Sequence, residues 1–217
     1  MNRYELIVFD WDGTLMDSAG MIVHCVQEAA RDLDIPPPTE ERARHIIGLG
    51  LGDALRYALP DLPEGRYEEL VERYRHHYLS RDHELVLFAG AGSLVQSLAG
   101  SGYWLGVATG KSRRGLDRAL EHSGLGVCFH ATRCADECHS KPHPQMLEEL
   151  MAEFAVSPAT TLMIGDTTHD LLMAQNAGVN AVAVTYGAHQ RAALEVVTPI
   201  YCAESVGDLA VWLAQNA

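Results

Sequence analysis

Leu6-Ile7-Val8-Phe9-Asp10-Trp11-Asp12-Gly13-Thr14-Leu15 sets a short apolar run directly before two carboxylates and a glycine. An uninterrupted apolar run bounded by turn residues is the pattern of a strand buried on both faces, as in a parallel sheet. Such a strand delivers its polar residues to the loop at its carboxyl end. Four further runs share the character, at Tyr103–Ala108, Phe129–Thr132, Thr161–Ile164 and Ala181–Thr185, with a weaker one at Pro199–Cys202. Helical patterns lie between and after them at Arg113–Ser123, Pro142–Phe154, His169–Ala177 and Ser205–Gln215. This alternation predicts an α/β chain, a parallel sheet with helices on both faces. Ligands of such sheets bind beyond the carboxyl ends of the strands.

The alternation lapses from Asp17 to about Glu84, where helical patterns occur without a convincing strand. Met21, Ile22, Cys25, Val26, Ala29, Ala30 and Leu33 fall on one face of a helix capped by Asp17 or Ser18, and Pro36-Pro37-Pro38 ends it. Thr39 with Glu40 and Glu41 opens a second helix, Gly48, Gly50 and Gly52 interrupt it, and Glu64–Arg81 reads as a long polar-faced one. The expected organisation is a core of residues 1–16 and 85–217 with a helical unit, 17–84, inserted after the first strand.

A chain of 217 residues is long enough for a sizeable core and a small accessory unit. Its 47% hydrophobic and 21% charged content excludes the disordered and fibrous classes. No apolar run approaches the roughly 18 residues of a membrane span, and the N-terminus lacks the n-region and h-region of a signal peptide. The expected location is the cytoplasm. A net charge of −13 with no basic patch argues against nucleic acid and membrane surfaces as partners. The five scattered cysteines read as reduced thiols. No motif bears on oligomeric state. An enzyme this acidic that acts on an anion must draw positive charge from a metal or a few placed lysines.

Asp10 and Asp12 end the first strand two residues apart. Asp and Gly are also common in ordinary turns. The spacing has a chemical use, because one carboxylate can attack phosphorus in line while its neighbour, turned away by the tight turn, protonates the leaving oxygen. Gly13 lets the backbone pass close to the phosphate. Val107-Ala108-Thr109-Gly110-Lys111 ends another run. There the Thr109 hydroxyl and the N–H groups around Gly110 suit phosphate oxygens, although Thr-Gly is a frequent turn pair. Lys141 stands at a predicted helix start, where a solvated surface lysine is the alternative. Met163-Ile164-Gly165-Asp166-Thr167-Thr168-His169-Asp170 places two acids on one side of a helix that begins there. They serve a helix N-terminus equally well, and they make a hard oxygen site suited to magnesium. All four elements occur in order, each at a predicted strand end or the following helix start.

That constellation resembles the haloacid dehalogenase superfamily over essentially the whole chain, and in overall pattern its phosphoglycolate phosphatases. The resemblance implies a Rossmann-like core, with the helical insertion as a small mobile cap. It implies Asp10 as nucleophile, Asp12 as acid/base, Thr109 as the phosphate-binding hydroxyl and Lys141 as the charge-stabilising lysine. Mg2+ is then held by Asp10, the backbone carbonyl of Asp12 and Asp166, with Asp170 on the ion or just behind it. Trp11 stands where leucine is usual. The implied activity is Mg2+-dependent hydrolysis of a small phosphorylated metabolite through an aspartyl-phosphate.

Asp12 argues against the superfamily's dehalogenases, which lack an acid there, and against its phosphonoacetaldehyde hydrolases, which carry alanine. A phosphomutase shares every core motif, but the cap histidine of the sugar-phosphate mutases corresponds to Ile22 here. Cys134, Cys138, His139 and His143 contain zinc-ligand types at a cramped spacing, with a plain loop as the alternative. A non-catalytic binding protein on this fold is the remaining reading. His76, His77, His83 and His122 read as solvated, and His169, inside the metal motif, is a candidate for a supporting contact there.

Overall fold

In the computed structural model, which describes residues 3–217, the run Leu6–Phe9 forms strand β1, buried along its whole length. The other strands are β2 (Trp104–Thr109), β3 (Ala131–Cys134), β4 (Thr161–Gly165), β5 (Asn180–Val184) and β6 (Tyr201–Ala203). They form one sheet in the order β3-β2-β1-β4-β5-β6, every pairing parallel. From β1 the chain builds first to one side and then to the other. The crevice beyond the carboxyl end of β1 is therefore a topological switch point.

The inserted helices are α1 (Ala19–Asp32), α2 (Glu40–His45), α3 (Leu51–Ala58) and α4 (Tyr67–Arg81). The remaining helices are α5 (Ala91–Gly100), α6 (Arg113–Ser123), α7 (Gln145–Phe154), α8 (Thr168–Asn176), α9 (Arg191–Val196) and α10 (Val206–Asn216). Side chains alternate across β1, so Ile7 and Phe9 pack with Leu94, Leu116 and Leu209 of α5, α6 and α10. Leu6 and Val8 pack with Met146, Leu150 and Leu171 of α7 and α8 on the other face. Each such fully buried side chain contributes roughly 1.5–3 kcal/mol. The insertion has an apolar cluster of its own, with Val26 and Ala30 of α1 against Ala43, Leu55 and Leu70.

Local departures from the sequence reading have identifiable causes. Strand β3 starts at Ala131, two residues after Phe129, because Gly126–Cys128 forms a tight turn and the Phe129 ring is drawn to Phe9 and Trp11. Helix α7 begins at Gln145 because Pro144 disfavours the helical conformation at His143 before it. The polar-faced helix divides into a 3-10 turn at Glu64–Arg66 and α4. Met21 is only partly buried, and Ala19 and Val23 share the buried face of α1 instead. Ser18 occupies the N-cap position of α1, yet its side chain makes no capping bond. Helices α5 and α9, one glycine-rich and one of six residues, had no clear periodicity to betray them. No helix among the described residues is long and apolar enough to cross a membrane.

Candidate active site

Four charged side chains from separate segments meet at the switch point. Asp10 follows β1, Asp166 follows β4, Asp170 lies in the first turn of α8, and Lys141 arrives on the loop between β3 and α7. None is more than 2% exposed. Lys141 Nζ donates to Asp10 Oδ1 and to Asp170 Oδ1, each at 2.6 Å. The three carboxylates offer oxygens within 4.8 Å of one another.

The surrounding backbone is built to hold these acids. Thr167 donates to Asp170 Oδ2 through its N–H (3.1 Å) and its hydroxyl (2.6 Å), in the capping box that starts α8. Asp166 accepts from Thr14 Oγ1 at 2.8 Å and from the Ala188 N–H at 2.6 Å. A Cβ at Gly13 (φ 85°) or at Gly187 would collide with Asp166, and one at Gly165 would collide with Asp170. One oxygen stands apart. Asp10 Oδ2 is buried and has no hydrogen-bond partner among the described residues.

Asp12 faces the other way. Its Oδ1 accepts from Ser18 Oγ at 2.7 Å, and its Oδ2 pairs with Lys111 Nζ at 3.0 Å. Lys111 also donates to Tyr78 Oη at 2.8 Å. Asp12 lines a cavity of about 620 Å³ with Gly110 and Lys111 on one side and Ile22, Leu49 and Tyr74 of the insertion on the other. The loop between α2 and α3 is seated on the core. Gly50 N–H donates to Ser140 Oγ at 2.9 Å, and a Cβ at Gly110 would collide with the Gly48 and Leu49 carbonyls.

The model of the haloacid dehalogenase-like hydrolases matches residues 7–184, from β1 through β5. The chain belongs to that family. It is 39% identical over 201 residues to a protein of Dickeya dadantii (strain 3937) named probable phosphatase IndB, covering 89% of this chain and 86% of that one. It is 29% identical over 209 residues to pyrophosphatase PpaX of Bacillus cereus (strain AH820), covering 95% of each. The crystal structure of a predicted phosphoglycolate phosphatase from Haemophilus somnus 129pt has the same fold, with a TM-score of 0.84 at 24% identity over 96% of this chain and 97% of that one. A hydrolase of this family with phosphatase-named relatives, the chain is a phosphatase.

The electrostatics of this hydrolase fit a cation at the carboxylates. Burial raises Asp10 well above the ordinary carboxylate range, with Lys141 opposing the shift and Asp170 and Asp166 adding to it. Burial and then the charge of Asp170 bring Asp166 to about 7. Burial works against the Lys141 charge, but Asp10 and Asp170 outweigh it and hold the ammonium above its usual value. Three buried acids therefore face a single cation, and one of their oxygens lacks any donor. A hard oxygen set of this kind can hold a divalent metal ion.

Of the other residues singled out in the sequence, Thr109 is buried and its Oγ1 accepts from the Lys111 N–H at 3.2 Å. The cysteine–histidine quartet is not gathered into a ligand set. Cys138 turns to Glu149, and the His139 and His143 rings lie against each other. His169 does not touch the acids through its ring Nε2, which meets the backbone carbonyl of His45 at 2.7 Å. His189, unremarked in the sequence, meets the same carbonyl with Nε2 at 3.2 Å. The Thr168 N–H donates to its Nδ1 at 3.0 Å, so Nε2 carries the proton. The ring nitrogens of His45, His169 and His189 come within 4.8 Å of one another, but the His189 proton makes this a hydrogen-bonded latch. Thr14, Ser18, Lys111, Tyr78 and Ala188 have no part in the site on the sequence alone, although Thr14 and Lys111 lie inside quoted motifs and Ser18 reads as a helix cap.

Proposed function

We propose that the chain is a cytoplasmic, Mg2+-dependent phosphomonoester hydrolase of the phosphoglycolate phosphatase type, acting on a small phosphorylated metabolite through an aspartyl-phosphate on Asp10. The observation that carries this reading is the unpartnered Asp10 Oδ2, buried where Lys141 fixes the same carboxylate through Oδ1. A carboxylate held by one oxygen and free at the other is aimed for in-line attack.

Asp10 attacks phosphorus while Asp12, on the cavity side, gives its proton to the leaving oxygen. Asp12 then takes a proton from the water that hydrolyses the aspartyl-phosphate. Thr109 and the N–H groups about Gly110 and Gly13 hold phosphate oxygens, and Lys141 offsets charge on the transferring group. Asp10, the Asp12 carbonyl and Asp166 would hold Mg2+, which would supply further charge stabilisation when bound. Asp170 has both oxygens engaged by Lys141 and Thr167, which supports a place behind the ion, orienting the lysine.

Residues 17–84 act as the cap over a core of 1–16 and 85–217, excluding bulk water and contacting the leaving group. A phosphomutase remains the second reading. The position of Ile22 in the cavity wall favours hydrolysis, because an apolar side chain stands where a mutase needs an imidazole.

The test is phosphate release from a panel of phosphomonoesters with and without Mg2+, with Asp10→Asn in parallel. Mg2+-dependent turnover that the substitution abolishes is the expected result. Turnover surviving in Asp10→Asn overturns the reading.

A further inference from the structure

Asp12 is gripped from two directions. Ser18, which holds Oδ1, lies where the chain leaves the core for the inserted helices. Lys111, which holds Oδ2, belongs to the core loop after β2, and its ammonium reaches across to Tyr78 on α4, near the return of the insertion. Among the described residues Asp12 has no other ion pair. The Lys111 side chain is 10% exposed, lies against the Tyr78 ring at 4.8 Å, and is held charged, since Asp12 and Tyr78 outweigh its burial. Tyr78 and Lys111 also line a second cavity of about 310 Å³ on the side of Trp11 and His122, so their contact spans the space between the two cavities.

We propose that Tyr78 and Lys111 are positioning residues that tie the aim of Asp12 to the seating of the inserted helices. The inference rests on the reading of Asp12 as proton donor. With α4 in place, the Tyr78 hydroxyl fixes the Lys111 ammonium, and the ammonium fixes the Asp12 carboxyl in the rotamer that faces the cavity. When α4 moves away, Lys111 loses one of its two partners, and Asp12 is held firmly by Ser18 alone. The step affected is the first transfer. As the Asp10–phosphorus bond forms, the phosphorus–oxygen bond to the alcohol breaks, its electron pair stays on the leaving oxygen, and that oxygen takes the Asp12 proton. A misaimed Asp12 slows this step in proportion to how much the leaving oxygen needs the proton.

That dependence separates positioning from plain structural damage. An alkyl phosphate expels a strongly basic alkoxide and needs the proton, whereas p-nitrophenyl phosphate expels a weakly basic phenolate and scarcely does. We compare kcat/KM, which reports the steps through the first transfer, for glycerol 2-phosphate and p-nitrophenyl phosphate with Mg2+ in wild type, Tyr78→Phe and Lys111→Met. Tyr78→Phe, which keeps the ring, is expected to lower kcat/KM about tenfold for the alkyl ester and less than about threefold for the aryl ester. Lys111→Met is expected to show the same bias more strongly. Equal losses on both esters, or no loss on either, overturn the proposal while leaving the phosphatase reading intact, provided Asp10→Asn abolishes wild-type turnover. A wild type inactive on both esters takes down the two readings together.

Discussion

A Cβ on Gly13 would collide with the Oδ2 carboxylate oxygen of Asp166, the atom that accepts the Ala188 N–H. The turn that brings Asp12 round after Asp10 and the placing of Asp166 are thus one packing problem. Gly13 also holds φ at 85°, a conformation that costs other residues about 1–2 kcal/mol. Gly13→Ala is therefore expected to destabilise the fold by at least about 1–2 kcal/mol in urea denaturation and to abolish Mg2+-dependent turnover. A folded, active alanine variant would show that Asp166 can retreat without consequence.

Lys141 carries the only positive charge in contact with Asp10 and Asp170 among the described residues. Removing one partner of a buried ion pair costs about 3–5 kcal/mol because the other charge is left uncompensated. Lys141→Met is expected to lose stability on that scale without metal, and to lose at least about a hundredfold in turnover. Added Mg2+ should recover part of the stability but little of the activity. Denaturation with and without Mg2+, beside phosphate release, checks both.

What could be read in advance follows from how local the signals are. Buried parallel strands are written as apolar runs, and Asp10, Asp12, Asp166 and Asp170 stand beside those runs or at a helix start, with a glycine next to Asp12 and to Asp166. Lys141 lies 131 residues from Asp10 in the chain, and nothing near it reveals that it will be buried between two acids. Ser18 reads as a helix cap, but its hydroxyl is taken by Asp12, a choice set by the third dimension. Lys111 and Tyr78, 33 residues apart, look like a turn lysine and one aromatic of a polar helix until α4 lies over the β2 loop. The Asp166 contact to Ala188 is a backbone N–H, which no side-chain pattern announces.

Burial, and next the charge of Asp170, bring Asp166 to about 7 in the metal-free protein. A cation binds the carboxylate form, so Mg2+ affinity is expected to rise with pH through about 7. The folded value lies above the unfolded value of roughly 3.9. Between those values the folded state binds more protons, and the group's contribution makes metal-free stability decline as pH rises. Saturating Mg2+ should remove that decline. Calorimetric titration in two buffers of different ionisation enthalpy measures the proton release, and a pH-independent affinity would contradict Asp166 as a ligand.

His189 imposes the opposite dependence at the seam between insertion and core. Burial, followed by the neighbouring His169, lowers it to about 4. Geometry supplies a further reason for neutrality: its Nδ1 accepts the Thr168 N–H, and a second proton there would face a donor. The unfolded chain takes up that proton near roughly 6.5, so the stability contribution is fully present above that pH and is lost as pH falls to about 4. His189→Gln keeps an acceptor for Thr168 and a donor for the His45 carbonyl without a titrating group. It should therefore flatten the fall in stability between pH 7 and 4, measured by urea denaturation at each pH. An unchanged slope in the glutamine variant would mean that the His189 Nδ1 parts from the Thr168 N–H and the ring charges freely, and that the seam does not depend on a neutral imidazole.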